Sequence, residues 1–199
     1  MSKRELIIKT ARRLFATKGY DGTCVDEIAS KAHVNKATIY YYFKGKEELY
    51  QASVEDSILR VLKDLENGIR DSKDPENSIK TYINSFYRHA KNDESFLRIL
   101  MREVASGGEH LSDNLIGVFV DILKILESIL EDGFKSGVFK KVDTKMVHFS
   151  VIGAISFYIC SADMRMNFKN EVSRLPSFLS DRDRDINELC ELILRGLRK

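Results

Sequence analysis

Between residues 35 and 46 the chain reads Asn-Lys-Ala-Thr-Ile-Tyr-Tyr-Tyr-Phe-Lys-Gly-Lys, a run that sets hydroxyls and lysines beside aromatic rings. Successive side chains on a helix diverge by about 100°. Tyr40, Tyr41 and Tyr42 therefore fan over more than half of the circumference, and some of the rings must face outward. Ile39 and Phe43, at i and i+4, mark the buried stripe. Ala37 and Tyr41 point the opposite way, flanked by Thr38 and Lys44. Such a surface suits phosphate oxygens and base edges. Lys36 can reach a guanine edge or a phosphate, and Thr38 offers a hydroxyl and a methyl. Tyr40 is placed to donate to a phosphate, and Tyr41 to meet thymine methyls or sugars. Tyr42 either joins them or packs against the first helix. Lys44 and Lys46 read as phosphate clamps.

Side chains with these tasks need a rigid mount. Thr23-Cys24-Val25-Asp26 reads as a capping box, with the threonine hydroxyl on an amide of the first turn and the acid at the positive end of the dipole. An exposed helix N-terminus is also an anion site, so Thr23 joins the candidate DNA contacts. Val25, Ile28, Ala29 and Ala32 recur at i, i+3, i+4 and i+7, which predicts a short helix with one apolar face. His33-Val34 makes the turn and Asn35 caps the next helix. Val34 staples its entry, and Gly45 sits where a left-handed C-terminal residue is wanted. Ser2-Lys3-Arg4-Glu5 is a second capping box, opening a helix whose Ile7, Ala11, Leu14 and Phe15 form one stripe and which Gly19 ends. Three short helices then share one small core, the last two as a helix-turn-helix.

Leu14-Phe15, Lys18-Gly19-Tyr20, Thr23, Val25, Ile28-Ala29, Ala32, Val34, Lys36, Thr38-Ile39-Tyr40, Tyr42-Phe43-Lys44 and Lys46-Glu47-Glu48-Leu49 together resemble the N-terminal DNA-binding domain of the TetR family of bacterial transcriptional regulators. The resemblance spans residues 6–49. It departs from the family at His33, where glycine is usual; if that position needs a positive φ, histidine tolerates it less easily.

Charge separates the two ends. Residues 1–46 hold ten Lys/Arg and four Asp/Glu, a net +6, so the remainder carries −4 to give the chain's +2. The basic end is the one with the helix-turn-helix. With 199 residues and 43% hydrophobic content the chain can bury a substantial core. It begins with a capped amphipathic helix rather than a cationic-then-apolar leader, so the expected location is the cytoplasm. The apolar run from Met146 to Ala162 is interrupted by His148, Ser150, Ser156 and Ser161 and falls short of the roughly 20 residues of a membrane span. Cys24, Cys160 and Cys190 have no metal-type spacing and read as reduced thiols. The four histidines stand on separate elements, without H-E-x-x-H, G-x-S-x-G or a phosphate-binding glycine loop. Neither an enzyme nor a metal or cofactor site is expected.

Beyond the helix-turn-helix the periodicity is helical throughout. Acids in Lys46-Glu47-Glu48 open a long helix with Ile58, Leu62, Leu65 and Ile69 on one face, running to about Ser72. Asp74-Pro75 starts the next, Asn92-Asp93 breaks it, and Gly107-Gly108 ends another. A helix from about Ser112 to Lys135 is closed by Gly137, and Asp143 caps one running to about Phe168. After Pro176, Ser180-Asp181-Arg182-Asp183 reads as a capping box for the last helix. The expectation is an all-α chain of about nine helices, with a DNA-binding domain at 1–46 and a larger helical domain for effector binding and dimerisation at 47–199.

The helix from Asp143 is apolar around nearly its whole circumference and must be covered. Resemblance to the family implies that it and the last helix pair with their symmetry mates, through Val151, Ala154, Ile155 and Tyr158 on one and Ile186, Leu189, Ile193 and Leu197 on the other. Such a dimer would bind a palindromic operator in double-stranded DNA. Between the two ends lies an excess of rings: Tyr82, Phe86, Phe96, Phe119 and Phe157, with Leu100, Met101 and Leu123 beside them and His89 as a polar group. These fit either an aromatic core or an apolar pocket. The resemblance adds that family members commonly bind an inducer there, and an apolar or amphipathic organic molecule is the expected class. The competing reading is a DNA-binding protein without a small ligand, controlled by a protein partner or acting architecturally.

Overall fold

Ser2 opens the first helix as expected: its hydroxyl accepts from the Glu5 amide at 3.1 Å while the Glu5 carboxylate takes the Ser2 N–H at 2.7 Å. In the computed structural model, which describes residues 1–70, 72, 74–167 and 182–199, ten helices follow one another and no strand occurs among the described residues. They are α1 (Lys3–Lys18), α2 (Val25–Lys31), α3 (Lys36–Tyr42), α4 (Lys46–Ile69), α5 (Pro75–Asn92), α6 (Glu94–Ser106), α7 (Asp113–Lys135), α8 (Thr144–Cys160), α9 (Ala162–Asn167) and α10 (Arg182–Leu197).

Two compact units result. The first takes in Met1–Arg60 and Asp93–Phe119, and the second Val61–Asn92 and Val120–Lys199, so α4 and α7 each contribute to both. The unit that holds the helix-turn-helix thus reaches well past residue 46, drawing in the front of α4, all of α6 and the start of α7.

In the first unit α1 packs on α2 and α6, and α3 packs on α2; Ile7, Ala11, Leu14 and Phe15 of α1, Ile28 of α2, Ile39 of α3 and Phe96, Leu97 and Ile99 of α6 are all nearly or fully inaccessible. Arg12 of α1 is buried too. Its guanidinium pairs with Asp56 at 3.1 Å and Asp93 at 2.9 Å and donates to Ser57, so α1, α4 and the α6 cap share one charge network. A buried arginine without those carboxylates would be strongly destabilising.

In the second unit α5 packs against α8 and α10. Tyr82, Ile83, Phe86, Val151, Ile155, Ile159, Ile186 and Leu194 form its core. The end of α10 is tied to the α7–α8 connection and to α5: Lys140 N–H donates to the Leu197 carbonyl at 2.9 Å, and Arg198 grips Glu76 of α5 at 2.7 Å through two nitrogens. Phe139 from that connection seats on Gly133, where a Cβ would stand 2.0 Å from the ring. Glycine is required there by close approach rather than by backbone conformation.

Several element ends differ from expectation. Cys24, not Thr23, is the N-cap of α2 and makes no side-chain cap; the Thr23 hydroxyl turns back to donate to the Gly19 carbonyl at 2.8 Å. Gly45 does not take positive φ, because α3 stops two residues earlier with Phe43 extended at φ −141°. Gly45 instead offers its carbonyl to the Leu49 amide at the start of α4. The helix capped by Asp143 ends at Cys160, and the separate α9 after it brings the helices among the described residues to ten rather than nine. Arg165 donates at 2.7 Å to the Tyr158 carbonyl, the group that an unbroken helix would offer to the amide of residue 162. Phe168, Pro176 and the Ser180 capping box lie outside the described residues.

Candidate nucleic-acid interface

The turn before α3 sets where that helix points. His33 N–H bonds the Ser30 carbonyl at 3.1 Å and Val34 N–H the Ala29 carbonyl at 3.0 Å, the paired closure of a Schellman motif. The residue at its left-handed position is His33, at φ 53°, the one non-glycine with positive φ among the described residues. The conditional reading of His33 is therefore met: the position does need positive φ. Histidine is among the residues that enter this region more readily than most.

Asn35 then caps α3, its Oδ1 accepting from the Thr38 amide at 2.7 Å and the Thr38 hydroxyl at 2.6 Å. Ile39 and Phe43 face inward, fully buried. The opposite side carries Tyr41, 82% exposed, with Tyr40 at 49% and with Lys36, Ala37 and Lys44 exposed around them. Tyr42 is half-buried and meets Tyr41 edge to face at 5.0 Å. The expected outward surface is thus assembled, with Thr38 half-buried and its hydroxyl engaged by the cap.

Two members of the expected set are committed elsewhere. Thr23 is buried, holding the α1–α2 turn. Lys46 donates to the Tyr20 carbonyl at 3.0 Å and its ammonium lies 4.1 Å above the Tyr20 ring. Lys36 is paired as well, with Asp26 of α2 at 2.9 Å, and that carboxylate raises the lysine above its ordinary value. Asp26 is the surface residue that motif reasoning passed over. It was seen only as a helix-dipole acid, though its place in the first turn of α2 sets it near the start of α3.

Behind this surface α6 grips the same module. Arg102 donates to the Ala16 and Thr17 carbonyls at the end of α1, at 3.3 and 3.1 Å. Buried Glu103 accepts from the Tyr50 hydroxyl of α4 and from the His110 amide at 3.1 Å, and burial pushes the Tyr50 hydroxyl well above its usual range. His110 in turn stacks on Tyr20 at 4.2 Å. These groups line a cavity of about 440 Å³.

The ring-rich set divides between the two units. Phe96, Leu100, Met101 and Phe119 belong to the first, Tyr82, Phe86, His89, Leu123 and Phe157 to the second. Tyr82 and Phe86 do meet, 5.1 Å apart, and the Tyr82 hydroxyl lies 2.7 Å from Nδ1 of His148, whose burial holds it below its ordinary value. His148 was missed, although it shares a face with Val151, Ile155 and Ile159 at helical spacing. His89 pairs with Asp64 at 2.8 Å. Met101 and Phe157 are exposed and so do not line an interior.

Phe157 belongs instead to an outward stripe of α8. Met146, Phe149, Ser150, Gly153, Ala154 and Phe157 recur at helical spacing, all exposed, and Leu192 of α10 stands 67% exposed beside them. A groove of about 360 Å³ runs between the two helices, lined by Met146, Val147, Ser150, Leu192, Ile193 and Gly196. Of the eight residues expected at a dimer contact, Ala154 is exposed and Tyr158, Leu189 and Ile193 are half-buried. Val151, Ile155, Ile186 and Leu197 are buried inside the unit, which corrects their assignment. Because α8 is apolar around nearly its whole circumference, periodicity alone does not separate its inner face from its outer one.

The family description "Bacterial regulatory proteins, tetR family" matches residues 7–53, and "Tetracyclin repressor-like, C-terminal domain" matches residues 75–189. The HTH-type transcriptional repressor NicS of Pseudomonas putida is 29% identical over 203 aligned positions, covering 98% of this chain and 92% of that protein. The fatty acid metabolism regulator protein of Bacillus subtilis is 25% identical, covering 75% and 77% of the two chains. Among solved structures, a TetR family transcription regulator from Marinobacter aquaeolei VT8 shares the fold with a TM-score of 0.78 at 17% identity, over 99% of this chain and 96% of that one.

Proposed function

The chain belongs to the TetR family of bacterial regulators, DNA-binding transcription factors, and we propose that it acts as a homodimeric repressor which reads a palindromic operator with α3 and releases it when a small organic effector binds. The observation that carries the DNA-reading part is the outward face of α3. A ring that is 82% exposed at Tyr41, beside exposed Lys36, Ala37, Tyr40 and Lys44, has no packing role to account for it. In this reading Tyr41 and Lys36 meet base edges, and Tyr40 and Lys44 meet phosphates. Lys46 and Thr23 act at one remove, through the shape of the α1–α2 turn.

Dimerisation is supported by the apolar outer stripe of α8 with Leu192 of α10, because contiguous exposed apolar surface of this kind marks an interaction site. Reading DNA is assigned to residues 1–46, and effector binding and dimerisation to 47–199. Repression is supported by the name of the Pseudomonas relative. An apolar or amphipathic effector remains the proposed class, and the Bacillus relative's name makes acyl compounds the first to screen. No helix among the described residues is long and apolar enough to cross a membrane. A regulator that reads bacterial DNA works where that DNA is, and the cytoplasm is the location we propose on that ground.

Selection from a random DNA library with the purified protein tests the central claim. A palindromic motif with half-sites about one helical turn apart is the expected result. Binding without any motif would overturn sequence-specific regulation in favour of an architectural role.

A further inference from the structure

We propose that Asp26 limits the affinity of this protein for non-specific DNA by holding Lys36 back from phosphates. The proposal rests on reading α3 as the DNA-facing helix. Lys36 is the first residue of α3, and its ammonium lies 2.9 Å from the Asp26 carboxylate, which projects from the first turn of α2. The pair therefore bridges the two halves of the helix-turn-helix on its outer side. Both side chains are open to solvent, at 49% and 67% exposure. Two properties follow. The pair neutralises a lysine at the start of the helix read as facing DNA, so a chance phosphate gains little from it. An exposed pair of this kind is also weak, so a correctly placed guanine edge or phosphate can draw the lysine away.

A carboxylate facing DNA is otherwise unfavourable, because phosphates repel it. Asp26 does contribute to the α2 dipole as a first-turn acid, but Glu27 supplies that charge too, from a half-buried position where it bonds Lys18 at 2.7 Å. The dipole alone leaves the placement of Asp26 beside Lys36 unexplained.

The test compares Asp26→Asn, Asp26→Ser, Lys36→Ala and the double variant Asp26→Asn/Lys36→Ala by fluorescence anisotropy. Each binds the library-selected duplex and a scrambled duplex of the same length across about 50–200 mM salt. Both Asp26 variants are expected to bind scrambled DNA about threefold more tightly at low salt, with a log–log salt slope steeper by about 0.9, as one added phosphate contact requires. Affinity for the selected duplex rises at least as much, because Lys36 no longer has to leave the Asp26 pair to make its contact there. In the Lys36→Ala background Asp26→Asn should change neither quantity. Equal tightening in that background would mean that the acid acts through its general field, and the proposal falls. It falls likewise if Lys36→Ala weakens binding while the Asp26 variants leave scrambled-DNA affinity and slope unchanged. If Lys36→Ala has no effect on either duplex, Lys36 leaves the DNA-reading set and the proposal goes with it. Melting temperatures near that of the parent protein certify the fold of each variant.

Discussion

His33 places a side chain where the backbone wants none. Its φ of 53° closes the Schellman turn between α2 and α3, and a non-glycine residue held in that region costs on the order of 1 kcal/mol or more. Glycine would relieve the strain but would enlarge the unfolded ensemble, returning part of the gain. His33→Gly is accordingly expected to stabilise the protein by about 0.5–1 kcal/mol. The midpoint of urea unfolding, at unchanged slope, measures it. A lower midpoint would mean that the imidazole makes a stabilising contact worth more than the strain. The sequence comparison with the family pointed to this residue; only the dihedral and the two closing hydrogen bonds turn that hint into a mechanism. Tyr41 was legible for the opposite reason, since helical geometry alone sends one of three consecutive rings outward. Lys46 was not legible. Its partner, the Tyr20 carbonyl and ring, lies 26 residues earlier, and no local pattern reports such a contact.

At the scale of elements, helix ends were readable wherever the capping group bonds within its own turn. Ser2, Asn35, Asp93 and Asp143 all cap by side chain, and Gly107 takes the left-handed position after α6. Thr23 and Gly45 were misread because each has a stronger local alternative, a hydroxyl bond back to Gly19 for one and an early extended stop at Phe43 for the other. The contact of α5 with α8 lay beyond sequence reasoning, yet it carries a titrating group. Burial holds His148 below its ordinary value of 6.5, and in the neutral tautomer protonated at Nε2 its Nδ1 accepts a hydrogen bond from the Tyr82 hydroxyl at 2.7 Å. The unfolded chain takes up a proton at this histidine below about pH 6.5, whereas the folded chain resists until lower pH. Stability from this site is therefore fully present above the unfolded value and is lost as pH falls through 6.5 toward the folded one. His148→Gln keeps an acceptor for Tyr82 but cannot titrate. Urea midpoints for both proteins at neutral pH and at a pH below 6 should show a smaller acid-induced drop in the variant. Identical drops would assign the pH dependence to other groups.

At the scale of the whole molecule the decisive question is what covers the outer stripe of α8. Met146, Phe149, Gly153, Ala154 and Phe157, together with Leu192 of α10, present an apolar surface around two glycines, Gly153 and Gly196, that have open space beside them. Small residues of this kind let helices approach closely, and a two-fold axis through such a stripe brings each residue near its own counterpart. That symmetry makes a charge substitution unusually effective, because one change places two like charges together inside one contact. Phe157 is 66% exposed in the protomer, so Phe157→Glu should leave helix content and thermal unfolding of the single chain nearly unchanged. It should nevertheless yield a monomer by sedimentation at micromolar concentration. Operator affinity should fall by about 100-fold or more, because each monomer then binds one half-site without the gain from linkage. Half-site DNA should be bound as well by the variant as by the parent protein, which separates loss of pairing from damage to α3. A variant that still sediments as a dimer would remove the α8 stripe from the interface, and a parent protein that sediments as a monomer would remove the dimer altogether.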